Sequence, residues 1–317
     1  MPTGARRLSS KDVGVPPAGS WRIGADDSPY PLERPVHTVS LPSFELARTP
    51  VTNAEYASFI AAGGYRDDRW WRTDAARRWR RGEGLAEIIG AEWIKKRDNL
   101  RRHPQLPVEM LRTGAATLHQ AVSMVKLTAM SDVEITDALA AIYGSGPPRA
   151  PGYWDDSRLN QPGQPVVGVS VYEAEAYCAW LSEVTGTVIR LPSEYEWEAA
   201  AASGGRAFPY GDSFDPSAAN TFELHVRTTT PVGVFTAGVS VAGCHDLSGN
   251  VFEWTASPAT PYPHPDTRPG SDDPGAVRIC RGGSWRHHWV RARAAYRGRG
   301  QCFVRNDDLG FRLLRER

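Results

Sequence analysis

Short apolar-rich stretches at Trp21-Arg22-Ile23-Gly24 and Val36-His37-Thr38-Val39-Ser40-Leu41, separated by the turn-rich segment from Ala25 to Pro35, predict two short strands. The period then lengthens. Tyr56, Phe59 and Ile60 recur at helical intervals behind Thr52 and Glu55, which have capping-box spacing, and Gly63-Gly64 supplies the stop. A second helix is expected from Ser170, with Glu173 completing its cap and Tyr177, Cys178 and Leu181 on its apolar stripe, to Gly186. A third follows Leu191-Pro192, capped by Ser193 and Glu196 and stopped by Gly204-Gly205. From about residue 205 onward short apolar stretches sit between Gly, Pro and Asp turns, the pattern of loop-rich β structure. Helices early and irregular strands late place the chain in the α+β class.

Residues 84–149 stand apart. Leu85, Ile88, Ile89, Trp93 and Ile94, and then the stretches 108–118 and 121–141, show apolar spacing of helical kind, closed by Gly144-Ser145-Gly146-Pro147-Pro148. The expected organisation is a single domain over 1–317 with a helical insertion at 84–149. The roles open to that insertion are a packing appendage, a lid, or a docking surface for a protein partner.

With 317 residues, 41% of them hydrophobic, the chain is long enough to bury a core and too apolar for disorder. No run of about 18 apolar residues occurs and the start, MPTGARRLSSKDVGVPPAGSW, lacks the apolar stretch of a signal peptide, so no membrane span and a cytoplasmic location are expected. A formal charge of +1 gives no support to nucleic-acid binding. The basic residues are skewed, with Lys11, Lys95, Lys96 and Lys126 the only lysines among 37. Arginine suits carboxylate or phosphate partners, although a GC-rich coding sequence explains the skew without any ligand. Cys178, Cys244, Cys280 and Cys302 are far apart with no CxxC pair, which reads as reduced thiols rather than a zinc knuckle or a disulfide framework.

Eight further stretches occur in a telling order. They are Glu33-Arg34-Pro35-Val36-His37, Thr49-Pro50-Val51-Thr52-Asn53-Ala54-Glu55-Tyr56, Pro165-Val166-Val167-Gly168-Val169-Ser170 and Ala176-Tyr177-Cys178-Ala179-Trp180-Leu181. Then come Arg190-Leu191-Pro192-Ser193-Glu194-Tyr195-Glu196-Trp197-Glu198, Asp246-Leu247-Ser248-Gly249-Asn250-Val251-Phe252-Glu253-Trp254-Thr255, Arg281-Gly282-Gly283-Ser284-Trp285 and Leu309-Gly310-Phe311-Arg312. Together they resemble the formylglycine-generating-enzyme, or sulfatase-modifying-factor, family. The resemblance spans most of the chain and implies an elaborated C-type-lectin-like fold; the 84–149 segment has no counterpart in it. It also implies a structural calcium ion held by Asp246, the backbone carbonyls of Gly249 and Val251, and the carboxylate of Glu253. Calcium takes about six to eight oxygen ligands, so carboxylates interleaved with carbonyls in one turn are suitable chemistry. The competing reading is a turn in which Asp246 and Asn250 hydrogen-bond nearby backbone. For the family's second calcium, Asn220 matches the first ligand, but Leu224 stands about where an acid is expected, with Glu223 beside it.

The departure from the family lies after Gly282-Gly283-Ser284-Trp285. Formylglycine generators carry there two cysteines, five apart, whose thiolates hold copper(I), a soft ion that soft ligands suit. Counting from the glycine pair leads here to His287 and Ala292. The resemblance therefore implies that formylglycine is not made by that route, and Cys280 and Cys302 lie outside the register. His287 is a candidate ligand for a redox metal such as iron or copper, while His288, on a strand, faces the other way. The three-histidine iron module of the ergothioneine-type relatives is a separate domain and is not recognisable in this sequence. No catalytic residue is assigned. The ligand pocket is expected at Ser284, Trp285, His287, Trp289, Arg291 and Arg293, the two arginines sharing strand parity and offering guanidinium forks to an acidic small molecule or peptide. Two main function classes follow: a cysteine-independent, metal-assisted oxidative enzyme, and a non-catalytic ligand-recognition module of C-type-lectin type. An interaction protein acting through the helical insertion is a third.

Overall fold

The computed structural model describes residues 9, 11–83, 85–143, 146–266, 273 and 276–316, with the backbone path alone for 85–88 and 140–143; Gly144-Ser145 lie outside the described residues. The chain opens with β1 (Val13–Gly14), β2 (Gly19–Ile23), β3 (His37–Leu41), β4 (Glu45–Ala47) and α1 (Asn53–Ala61). A helical run follows: α2 (Asp74–Arg80), α3 (Leu85–Arg102), α4 (Leu106–Arg112), α5 (Leu118–Ala129) and α6 (Asp132–Tyr143). After it come α7 (Val171–Thr185), β5 (Ile189–Arg190) and α8 (Glu194–Ala202), then β6 (Phe252–Pro258), β7 (Val277–Arg281), β8 (Gly298–Gln301), β9 (Leu309–Phe311) and β10 (Leu314–Arg315).

Local chemistry sets the helix starts. Thr52, Ser170 and Ser193 each accept the N3 backbone N–H while Glu55, Glu173 and Glu196 reach back to the cap, so α1, α7 and α8 all begin with complete capping boxes. The chain leaves α7 through Gly186 and α8 through Ser203, both left-handed.

Two compact units result, Met1–Ala76 with Arg149–Arg317, and Arg77–Pro148. In the second, Ile89, Leu100, Leu127, Ile135 and Leu139 are buried, and Arg97 bridges α3 to Asp132 at 2.5 Å. Helix begins earlier than residue 84, because α2 already carries the chain into this unit. Leu118, Val122 and Val125 leave an exposed apolar stripe along α5.

Among its described residues the first unit holds three small sheets, ordered β1-β4-β10-β5, β2-β3 and β8-β7-β6-β9. In the last, β6 pairs antiparallel with β7 and parallel with β9, setting Glu253 opposite both Arg281 and Gly310. Tyr56, Phe59, Tyr177, Trp180 and Phe311 stack between α1, α7 and β9. Buried arginine–glutamate pairs clamp these layers. Arg312 donates to both oxygens of Glu253, at 2.5 and 2.7 Å, and Trp197 Nε1 adds a third bond at 2.8 Å. Arg297 does the same for Glu194 at 2.7 and 2.8 Å, Arg305 for Glu173 at 2.6 and 3.0 Å, and Arg281 meets Glu198. These forks are geometrically specific, and each charge is costly if left alone.

Arg312→Met leaves Glu253 charged and buried without its partner, and should cost about 3–5 kcal/mol in urea unfolding, whereas the double change Arg312→Met/Glu253→Leu should recover part of that loss. A second expectation concerns acid. Burial alone would raise the Glu194 carboxyl, but hydrogen bonds from His264 and Arg297, with the charge of Arg281 nearby, bring it down from 4.5 to about 2. A folded-state value below the unfolded one means stability present above 4.5 and lost as pH falls towards 2. Urea midpoints followed through that window should show a flatter acid limb for Glu194→Gln than for the unmodified chain.

Candidate functional site

Two glycines open the site. Gly282 and Gly283 have φ of 99° and 70°, and a Cβ on Gly283 would stand 2.8 Å from the backbone of Ala292. The chain thus leaves β7 through a tight left-handed turn and folds back against itself. Gly249 N–H donates to Gly282 O at 2.7 Å, Trp285 N–H to Asn250 O at 3.1 Å, and Phe252 N–H to Asp308 O at 2.8 Å. Three motifs distant in sequence are laced together at this point.

His287 and Ser284, both expected in the pocket, meet here with a residue the sequence reading missed. Ser284 Oγ donates to Asp308 Oδ2 at 2.6 Å, and lies 2.8 Å from His287 Nδ1; Nδ1 itself is 3.2 Å from Asp308 Oδ2. Because the hydroxyl proton goes to Asp308, Ser284 accepts from Nδ1, which places the imidazole proton on Nδ1. Nε2 makes no hydrogen bond among the described residues. Burial pushes the Asp308 carboxyl up, but hydrogen bonding and charge from His287, the Ser284 hydroxyl and the Arg286 charge outweigh it and hold the group below the usual carboxylate range. The ring packs edge-on against Phe252, centroids 5.3 Å apart.

The segment itself is not a strand. It runs through turns and one 3-10 turn, Trp289–Arg291, before β8 begins at Gly298. Strand parity therefore does not apply, and the paired-fork arrangement of Arg291 and Arg293 is corrected. Arg293 is turned inward, donating to both oxygens of Glu33 at 2.9 Å, while Arg291 lies over Tyr296 at 5.8 Å. Trp289 is exposed and stacks on Phe214, centroids 5.6 Å apart. Trp285 has a buried indole N–H without a partner, and Arg286 lies over its ring at 5.5 Å. His288 goes to Glu223 at 3.0 Å, so the two histidines serve different carboxylates.

At the expected calcium site the two carboxylates already have protein partners. Both oxygens of Glu253 are taken by Arg312 and Trp197. Asp246 accepts Gly233 N–H at 2.7 Å, and Asn250 bonds both the N–H and the C=O of Thr230, at 3.0 and 3.1 Å. Burial pushes the Asp246 carboxyl up to about 6, against the pull of the Gly233 N–H and Arg312. The Glu253 charge is thus already met by Arg312, and calcium at Asp246, Gly249, Val251 and Glu253 gains no support. At the second position Glu223 is engaged by His288, Thr221 and the Trp289 N–H, although Asn220 Oδ1 is buried without a partner.

A copper(I) dithiolate does not fit either. The four cysteines are free and buried, and burial pushes the thiols of Cys280 and Cys302 up to about 12. Cys280 stands opposite Gly298, whereas Cys302 N–H bonds Ala276 O, four positions along the ladder, or about 13 Å at the usual rise per residue. Ala292 is buried, its carbonyl accepting from Ser248 Oγ at 3.0 Å. Among the described residues no group of three or more His, Cys, Asp or Glu is placed to hold a metal ion.

Comparison with known proteins agrees with the lacing of these motifs. Hercynine oxygenase of Mycolicibacterium thermoresistibile is 30% identical over 290 residues, covering 83% of this chain and 49% of that protein. The formylglycine-generating enzyme of Streptomyces coelicolor is 29% identical over 334 residues, covering 98% and 91%. The chain spans about half the length of the hercynine oxygenases it matches. PvdO from Pseudomonas aeruginosa shares the fold, with a TM-score of 0.60 at 24% identity over 96% of this chain and 93% of that one. The described residues contain no helix long and apolar enough to cross a membrane. The model of the sulfatase-modifying factor enzyme 1-like domain matches residues 2–317, and the chain belongs to that family, with its α+β fold.

Proposed function

We propose that this domain carries out a cysteine-independent oxidation of a small molecule in which dioxygen takes up the electrons and His287 is the general base for the substrate's proton. One observation carries the reading: an imidazole held through Nδ1–H by Ser284 and Asp308, with Nε2 unpartnered among the described residues. An imidazole fixed in that tautomer offers a lone pair as general base, and an ionised carboxylate behind it stabilises the imidazolium that forms. Ser284 is fully buried and acts as a positioning residue, not a nucleophile.

The relatives named hercynine oxygenase support the oxidative class and a small-molecule substrate. His287 and Ala292, at the positions counted from the glycine pair, argue against the thiolate route of the formylglycine generators.

The test is dioxygen uptake by the purified chain, with hercynine as the first probe and free amino acids as the second. His287→Ala should lower turnover by at least about 100-fold when assayed well below its own melting temperature, which should fall because Asp308 loses a partner. Asp308→Asn should lower kcat by about 10–100-fold and leave KM nearly constant, because the residue orients the base rather than the substrate. Replacing Cys280 and Cys302 together by alanine should leave turnover within about twofold. Reversible, stoichiometric binding of a probe with no oxygen consumed would replace the enzyme by a recognition module.

A further inference from the structure

A concavity of about 490 Å³ lies among the end of β2, the end of α8 and the 205–212 turn, and none of Ser284, His287 and Asp308 lines it. Its size is that of a small-molecule site. The floor is already satisfied. Glu198 accepts Gly24 N–H at 2.7 Å and is paired with Arg281, while Arg293 is held by Glu33. Gly24 is required there, since at φ 88° an added Cβ would lie 2.6 Å from Glu33 O.

The rim is different. Arg22 and Arg206 line the cavity and are exposed, and their guanidinium groups make no ion pair or hydrogen bond among the described residues. The stem of Arg22 rests along Gly205, where an added Cβ would be 3.4 Å from its Cδ, so the guanidinium is anchored by packing rather than by an acid. Asp27, on the same rim, is likewise exposed and unpartnered. Asp26 and Asp212 each give one carboxylate oxygen to a backbone N–H, of Val36 and Ala207, and keep the other.

Cations and carboxylates therefore share one cavity without neutralising each other. A ligand of a single sign would pair with half of them and strip water from the rest, which costs free energy. A ligand with both signs satisfies both sets. We propose that this cavity binds a small zwitterion of amino-acid or dipeptide size, its carboxylate on Arg22 and Arg206 and its ammonium against Asp27 and Asp212. The proposal is independent of the His287 reading, because it is read as binding and not as turnover.

Glycylglycine, succinate and 1,4-diaminobutane, titrated calorimetrically into the full chain at neutral pH, separate the cases. Glycylglycine should bind at least about tenfold more tightly than either single-sign probe, and Arg22→Ala, Arg206→Ala and Asp27→Asn should each weaken it about tenfold. All three positions are exposed, so thermal melts of the variants should overlay the parent. Equal binding of succinate or diaminobutane, absence of saturable glycylglycine binding, or unchanged affinity in the folded variants would each overturn the assignment.

Discussion

The fully buried pair of Arg312 and Glu253 is the constraint on which the rest of the larger unit depends. Arg312 also donates to the carbonyls of Ala47 and His245, at 3.0 and 2.8 Å, and Trp197 from α8 closes on the same carboxylate. One guanidinium thus fixes β4, β6, the segment after β9 and a helix relative to each other. Neither charge has access to water, so the arrangement is close to all-or-none: any misplacement that breaks the fork leaves a bare ion in the interior. The geometry of the fork, more than its net energy, is what the pair contributes, since desolvation of both charges offsets much of their attraction.

The same device recurs. Arg281 with Glu198, Arg297 with Glu194 and Arg305 with Glu173 each tie a late strand or loop to the first turns of a helix. Glu173 does so while capping α7 and accepting Tyr65 Oη at 2.5 Å. The arginine excess is thus engaged internally at these positions, which coding bias by itself does not account for.

What the sequence made legible was local. Capping boxes at Thr52, Ser170 and Ser193 depend on residues three apart, and the β2–β3 hairpin lies within one short segment. The order of the family-like motifs was legible through resemblance. The partner of His287 was not, because Asp308 is 21 residues away and reaches it only through the turn at Gly282-Gly283 and the bond from Phe252 N–H to Asp308 O. The resemblance implied a calcium ion between Asp246 and Glu253, whereas the Glu253 carboxylate is paired with the guanidinium of Arg312. Spacing within one segment cannot distinguish a metal ion from an arginine supplied by another. Strand parity failed at Arg291 and Arg293 for a related reason, since the left-handed glycines end β7 and no ladder continues.

The seat of Ala292 limits what sulfur at 287 and 292 could do. Its methyl group is sealed from solvent, its backbone sits beneath Gly283 without room for another carbon on that glycine, and its carbonyl is tied to Ser248. Cysteines at 287 and 292 would set one thiol beside the Asp308 carboxylate and the other at a fully buried position. Two substitutions alone would therefore not place a pair of accessible thiolates here, because the turn from Gly282 to Ala292 holds the second position inside.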